Sequence, residues 1–271
     1  MHIREWRYQS LGNFYAESGF STFQGYLVLA ADGSGINIPT TRETLEEFGT
    51  SSRKGTKPQA SIGLGCLYDV MNRMILESDC CKCKFDEMRL AEEQIDRVRE
   101  TIGASQPFLV VMDRGYPSTV AFIRMMEKGI LFLVRLKSSD YKKEQSALSG
   151  PDGWVDILLD KSRINHYKGT DIGQRMEELG SVTLRMVKVL LQEEREEILI
   201  TNLPSETFDR FQIAELYQMR WGIETAYETL KDRLQIENFT GTNPVASLQD
   251  VYTLIYNSDH AEDIVRVVEA E

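Results

Sequence analysis

The sequence lacks any run of 18 apolar residues, so it offers no segment able to cross a bilayer as a helix. Its four cysteines, Cys66, Cys80, Cys81 and Cys83, are too few and too bunched for a disulfide framework, which predicts a reducing, cytoplasmic setting. Cys80-Cys81-Lys82-Cys83 also lacks the second cluster that a zinc site needs, because His2, His166 and His260 are scattered; ordinary thiols near a hairpin end are the simpler reading. The opening Met1-His-Ile-Arg-Glu-Trp-Arg7 has no apolar run behind its charges and does not read as a secretory signal. Positive charge is scarce too. Thirty-one Lys and Arg stand against 42 Asp and Glu, a net charge of −11, whereas a chain that grips nucleic acid usually carries a basic footprint. Six of the acids and one base lie beyond Gly241, which leaves −6 for the first 241 residues. Any DNA contact must therefore come from discrete patches.

What is present suits a real core. A hydrophobic content of 42% in 271 residues predicts one large α/β domain with an insertion, or one and a half domains. Residues 1–24 read as a polar lead-in. Gly25 to Ala31 has the character of a buried strand, and Asp32-Gly-Ser-Gly35 reads as the turn that ends it, with Ile36 and Ile38 starting a return strand. Residues 40–58 read as a mobile loop, in which Arg53, Lys54 and Lys57 touch phosphate or merely solubilise the segment. Ala60 to Tyr68 and Arg73 to Glu77 predict a hairpin, and Asp86 to Arg99 an amphipathic helix. Gly63-x-Gly65 sits inside the strand pattern with no helix after it, which argues against a nucleotide loop.

Pro107 to Met112 is a short apolar run, the mark of a strand covered on both faces. It stops at Asp113-Arg-Gly-Tyr-Pro117. A helix from about Ser118 to Lys128, with Gly129 as its C-cap, and a strand over Ile130 to Val134 complete a strand–helix–strand unit. The expected organisation is a core over 25–136, a β-rich insertion over 137–203, a helical return over 204–241 and an acidic tail over 242–271.

Asp32 and Asp113 each follow an apolar strand, and open α/β sheets place their chemistry at strand ends; an Asp there also serves simply as a turn residue or helix cap. The last helix adds more. At 100° per residue, Tyr217, Arg220, Glu224 and Lys231 fall within roughly a 60° arc, at the border of an apolar stripe formed by Met219, Ile223, Ala226, Leu230 and Leu234. On spacing alone such an arc is also what a solvated face with an Arg220–Glu224 salt bridge would show. Trp221 falls outside the arc and reads as a packing residue.

Tyr217-x2-Arg220-x3-Glu224-x6-Lys231 resembles, position for position, the YREK signature helix of a bacterial insertion-sequence transposase family with a DDE catalytic core. Asp113-Arg-Gly-Tyr116 is similar to that family's second-aspartate motif and Asp32-Gly33 to its first, and the β-rich insertion is a family habit. The resemblance covers about residues 25 to 240. It implies an RNase H-like mixed sheet flanked by helices, with Asp32, Asp113 and Glu224 as catalytic residues and metal ligands for two Mg2+ ions, for which Mn2+ substitutes. It also implies Tyr217, Arg220 and Lys231 as DNA-binding residues. The activity implied is phosphodiester hydrolysis and strand transfer on transposon ends and target DNA, with a homodimer in the DNA complex. Family members usually carry more sequence at both ends, so the alternative is a catalytically silent remnant that binds DNA or protein.

Overall fold

The computed structural model describes residues 8, 11–16, 19–52, 55–102, 106–190, 196–233 and 239–269, with side chains left out at 232–233 and 258–269. His2, Arg53, Lys54 and Leu234 lie outside the described residues. The chain packs as two compact units, Met1–Phe108 with Met219–Glu271, and Leu109–Gln218.

In the first unit, three antiparallel strands follow one another in space as β3-β2-β1: β1 Leu27–Asn37, β2 Ser61–Asp69 and β3 Met74–Lys82. The expected turn at Asp32 to Gly35 is not there. β1 runs straight through it to Asn37, with Asp32 opposite Cys66, Gly33 opposite Gly65 and Gly35 opposite Gly63. Ile36 and Ile38, both buried, continue the same strand line rather than a return. The glycines here serve close approach instead of turning. A Cβ on Gly63 would lie 2.6 Å from the Lys82 carbonyl oxygen and from Phe85, and one on Gly65 would lie 2.4 Å from Leu90. Opposed glycines thus let Phe85 and Leu90 sit directly on the sheet.

The segment read as a loop over 40–58 contains helix α1, Arg42–Phe48. Thr41 and Thr44 form a reciprocal capping box, each side chain accepting from the other's backbone N–H, and Phe48 anchors the other end in the core. Helix α2, Glu87–Ile102, buries Ala91, Ile95 and Val98 on one face, as its periodicity predicts. The turn between β2 and β3 is locked by buried Asp69, which accepts hydrogen bonds from Tyr15 Oη at 2.7 Å, Asn72 Nδ2 at 2.6 Å and the backbone N–H groups of Met71 and Asn72. The core of this unit runs from Ala30, Ile62 and Leu64 to Ile223, Tyr227 and Leu230 on the signature helix. Val251 and Ile255 complete it from the helix Pro244–Glu269, which occupies the stretch read as an acidic tail.

In the second unit the strand order is β4-β5-β8-β7-β6. β4 (Phe108–Met112) and β5 (Leu131–Arg135) are parallel, joined through helix α3 (Thr119–Glu127), whose N-cap is Ser118. β8 (Glu196–Thr201), β7 (Ser181–Leu190) and β6 (Asp152–Leu158) are antiparallel. The sheet is therefore mixed and helix-flanked, the α/β class expected. Residues 137–203 contribute those last three strands together with the short helices α4 (Lys142–Ala147), α5 (Lys161–Ile164) and α6 (Asp171–Leu179). Arg185, 1% exposed, ties it together: its guanidinium bonds Asp152 and donates to the Phe208 carbonyl at 2.7 Å. No described helix is long and apolar enough to cross a membrane.

Candidate active site

The signature segment is helical throughout its described length but changes pitch. α7 (Arg210–Met219) passes through Arg220, whose own φ and ψ are helical, into α8 (Trp221–Glu228) and then a wide π turn, Thr229–Arg233. No proline interrupts it, and Ile223, Tyr227 and Leu230 pin α8 and the turn to the first unit's core. The arc predicted from spacing is not a uniformly solvated face. Tyr217 and Arg220 are 1% and 2% exposed, whereas the Glu224 side chain is 51% exposed.

The first unit gathers Asp32, Glu224, Arg220 and Lys231. Tyr227 Oη donates to the Asp32 carbonyl oxygen at 2.7 Å and lies 3.4 Å from that of Leu64, so the helix is sewn to β1 at the aspartate itself. One turn on, Lys231 Nζ donates to Ser34 Oγ at 2.8 Å. Ser34 and Asp32 are two apart on a strand and so share a face, which puts the Lys231 contact on Asp32's side of β1. Loss of solvent pushes the Asp32 carboxyl up to about 6; the Gly33 N–H and the Arg220 guanidinium pull it down, and Glu87 and Glu224 push it up. Arg220 also donates from Nη2 to Glu224 Oε1, the i,i+4 pair that spacing allowed. The positive charge among these acids thus comes from Arg220.

Asp113 belongs to the second unit, just past the end of β4. Tyr217 Oη donates to its Oδ1 at 2.9 Å, and Arg135 Nη1 stands 3.7 Å from the same oxygen. Arg135 in turn grips Glu197 with Nε and Nη2. Tyr217 therefore presents its hydroxyl to Asp113, and its buried ring is not open for stacking on a base.

The resemblance implies divalent ions, and the donor chemistry fits them: each expected ligand atom is a carboxylate oxygen, which hard cations prefer. A desolvated Asp32 beside Glu87 and Glu224 is the kind of group a cation relieves. Among the described residues, no group of three or more His, Cys, Asp or Glu is already drawn together to hold a metal. Glu224 meets Arg220 through Oε1, and its side chain is half exposed.

Tyr227, Ser34, Glu87 and Arg135 were not singled out from the sequence. Tyr227 lies seven residues before Leu234 in the heptad-like apolar pattern and looks like core; only its hydroxyl carries the extra role. The Cys80 and Cys81 thiols are pushed up by burial, Cys81 to about 11, which leaves them protonated in the metal-free chain.

The family model described as the transposase DDE domain matches residues 23–257, a span that includes all six candidate residues. No curated protein sequence matches. Among solved structures, the chain is similar to the piggyBac transposase in its synaptic complex with hairpin DNA, with a TM-score of 0.51 and 10% identity over 86% of this chain and 46% of that one. That likeness shows the fold, the RNase H-like core of transposases, and the chain spans about half the length of the transposase it matches. The Mos1 transposase paired-end complex with a left transposon end gives a TM-score of 0.27 at 10% identity, over 49% of this chain and 40% of that one. The chain belongs to the transposase DDE domain family.

Proposed function

We propose that this chain is the catalytic domain of a DNA transposase of bacterial insertion-sequence type, in which Asp32, Asp113 and Glu224 hold two Mg2+ ions, or Mn2+ in their place. The observation that carries the reading is the meeting of Asp32 with the signature helix: a desolvated carboxyl influenced by Glu224 and Arg220, with Tyr227 and Lys231 fastening the same helix to β1. When bound, the metal ions activate the attacking oxygen and stabilise the leaving one in phosphodiester hydrolysis and strand transfer. Three carboxylates suit this task because two dications must be held beside a phosphate that brings a single charge.

The remaining residues act on DNA and on the ligands. Arg220 is a planar fork suited to a phosphate once it releases Glu224, and Lys231 is a point charge for the same strand. Tyr217 holds Asp113 by its hydroxyl. Transposon ends and target DNA are the partners, with a homodimer in the DNA complex and a cytoplasmic setting.

A second reading, a silent domain that binds DNA or protein without cutting, is favoured by the Arg220–Glu224 bond, which already engages the expected third carboxylate. Thermal melts with and without Mn2+ test the first. Metal at about 100 times its Kd should stabilise the chain by about 2.7 kcal/mol. No shift at millimolar metal, or an equal shift in Asp32→Ala/Asp113→Ala, overturns it.

A further inference from the structure

Beside Asp113, within the second unit, lies a cavity of about 320 Å³ lined by Arg114, Lys137, Ser138, Gln145, Glu196 and Glu197 among others. Its charges are unevenly matched. Arg135 neutralises Glu197 through two nitrogens, so of the acids only exposed Glu196 is left. Arg114 and Lys137 are both exposed and have no acidic partner among the described residues. The segment bearing Lys137 is held in shape by its own hydrogen bonds: the Lys137 N–H donates to Asp140 Oδ2 at 2.9 Å, and Gln145 Nε2 donates to the Lys137 carbonyl at 3.0 Å and to that of Asp140. An ordered loop thus presents a cation to a polar recess, and the residue that follows Asp113 adds a second cation to the same lining.

We propose that this cavity binds a phosphate group of a DNA strand, held by Arg114 and Lys137. The assignment rests on the proposed function, since it adds to Arg220 and Lys231 a strand contact in a chain whose net charge is −11. Two unpaired cations over one unpaired acid favour an anion. The guanidinium matches two phosphate oxygens, and the ammonium on its flexible stem adds a point charge. Because Arg114 is covalently next to Asp113, a phosphate seated here would fix the strand's path past that carboxylate. Contacts of this kind position a strand without reading its sequence.

The test is fluorescence anisotropy of short duplexes of several sequences, titrated with the full chain across a range of salt. Each lost phosphate contact lowers the slope of log K against log salt by about 0.9. Arg114→Gln and Lys137→Gln should each lower it by that amount and the double variant by roughly 1.8, for all sequences alike, with unchanged melting curves because both side chains are exposed. Lys161→Gln, an exposed cation away from the cavity, should leave the slope as it is. An unchanged slope in the double variant, with wild-type binding intact, overturns this assignment alone. Failure of the wild-type chain to bind any duplex overturns it together with the proposed function. Inorganic phosphate at matched ionic strength should compete no better than chloride. Phosphate-specific competition that disappears in the double variant would reassign the cavity to the free anion.

Discussion

Replacing Asp32 with Asn should make the metal-free protein more stable, and the gain should depend on pH in a defined way. The Asp32 carboxyl sits at about 6 in the folded chain against an ordinary 3.8. Between those values the folded state binds more protons than the unfolded one, so stability falls as pH rises through the window. Below 3.8 both states are protonated and the burial cost is absent; above 6 it is complete. A difference of 2.2 units corresponds to about 3 kcal/mol at 1.36 kcal/mol per unit. Asn keeps the shape and an acceptor for the Gly33 N–H but never ionises. The variant should therefore gain up to about 3 kcal/mol at pH 8, and the two proteins should converge near pH 4. That figure is an upper bound, because Asp32 also answers part of the charge on buried Arg220. Thermal melts from pH 4 to pH 8 read it as a rise of at most roughly 6–12 °C. With saturating Mn2+ the order should reverse. A gain independent of pH would mean that packing, not ionisation, is at work; a loss at pH 8 would refute the desolvation argument.

Other substitutions test the frame around the site. Gly63→Ala forces a methyl to within 2.6 Å of the Lys82 carbonyl and Phe85, and should cost about 1–3 kcal/mol in denaturant melts. Arg185→Ala strands a carboxylate and two carbonyls; the cost should be about 3 kcal/mol, the lower end for a broken buried pair, since Asp152 is 27% exposed and can rehydrate. Tyr227→Phe removes the bond to the Asp32 carbonyl and should cost about 1 kcal/mol, read by the same melts.

Much of this architecture is legible in the sequence because it rests on local periodicity. The apolar runs at Phe108–Met112 and Leu131–Arg135, the helix that starts at about Ser118 and the amphipathic Glu87–Ile102 are each visible within 16 residues. The failures come where long-range contact decides. Asp32-Gly-Ser-Gly35 has turn composition, yet the facing glycines of β2 and the ring of Phe85 make it a flat strand. The loop over 40–58 hid a helix whose start depends on a Thr41–Thr44 exchange that its mixed polar composition masks. At the site, spacing grouped Tyr217, Arg220, Glu224 and Lys231, but it could not separate buried Arg220 from open Glu224. Nor could it reveal that Lys231 reaches Ser34 and that Tyr227 carries a hydroxyl to Asp32, because the partners are nearly 200 residues away.

The most direct test of the central claim is strand cleavage. A labelled duplex incubated with the full chain and Mn2+ should be cut by the wild type, whereas Asp113→Asn and Glu224→Gln, nearly isosteric and each lacking one carboxylate charge, should both lose cleavage while remaining folded, with a wild-type far-UV circular dichroism spectrum at the assay temperature. Cleavage that survives either substitution at the wild-type rate would contradict the account.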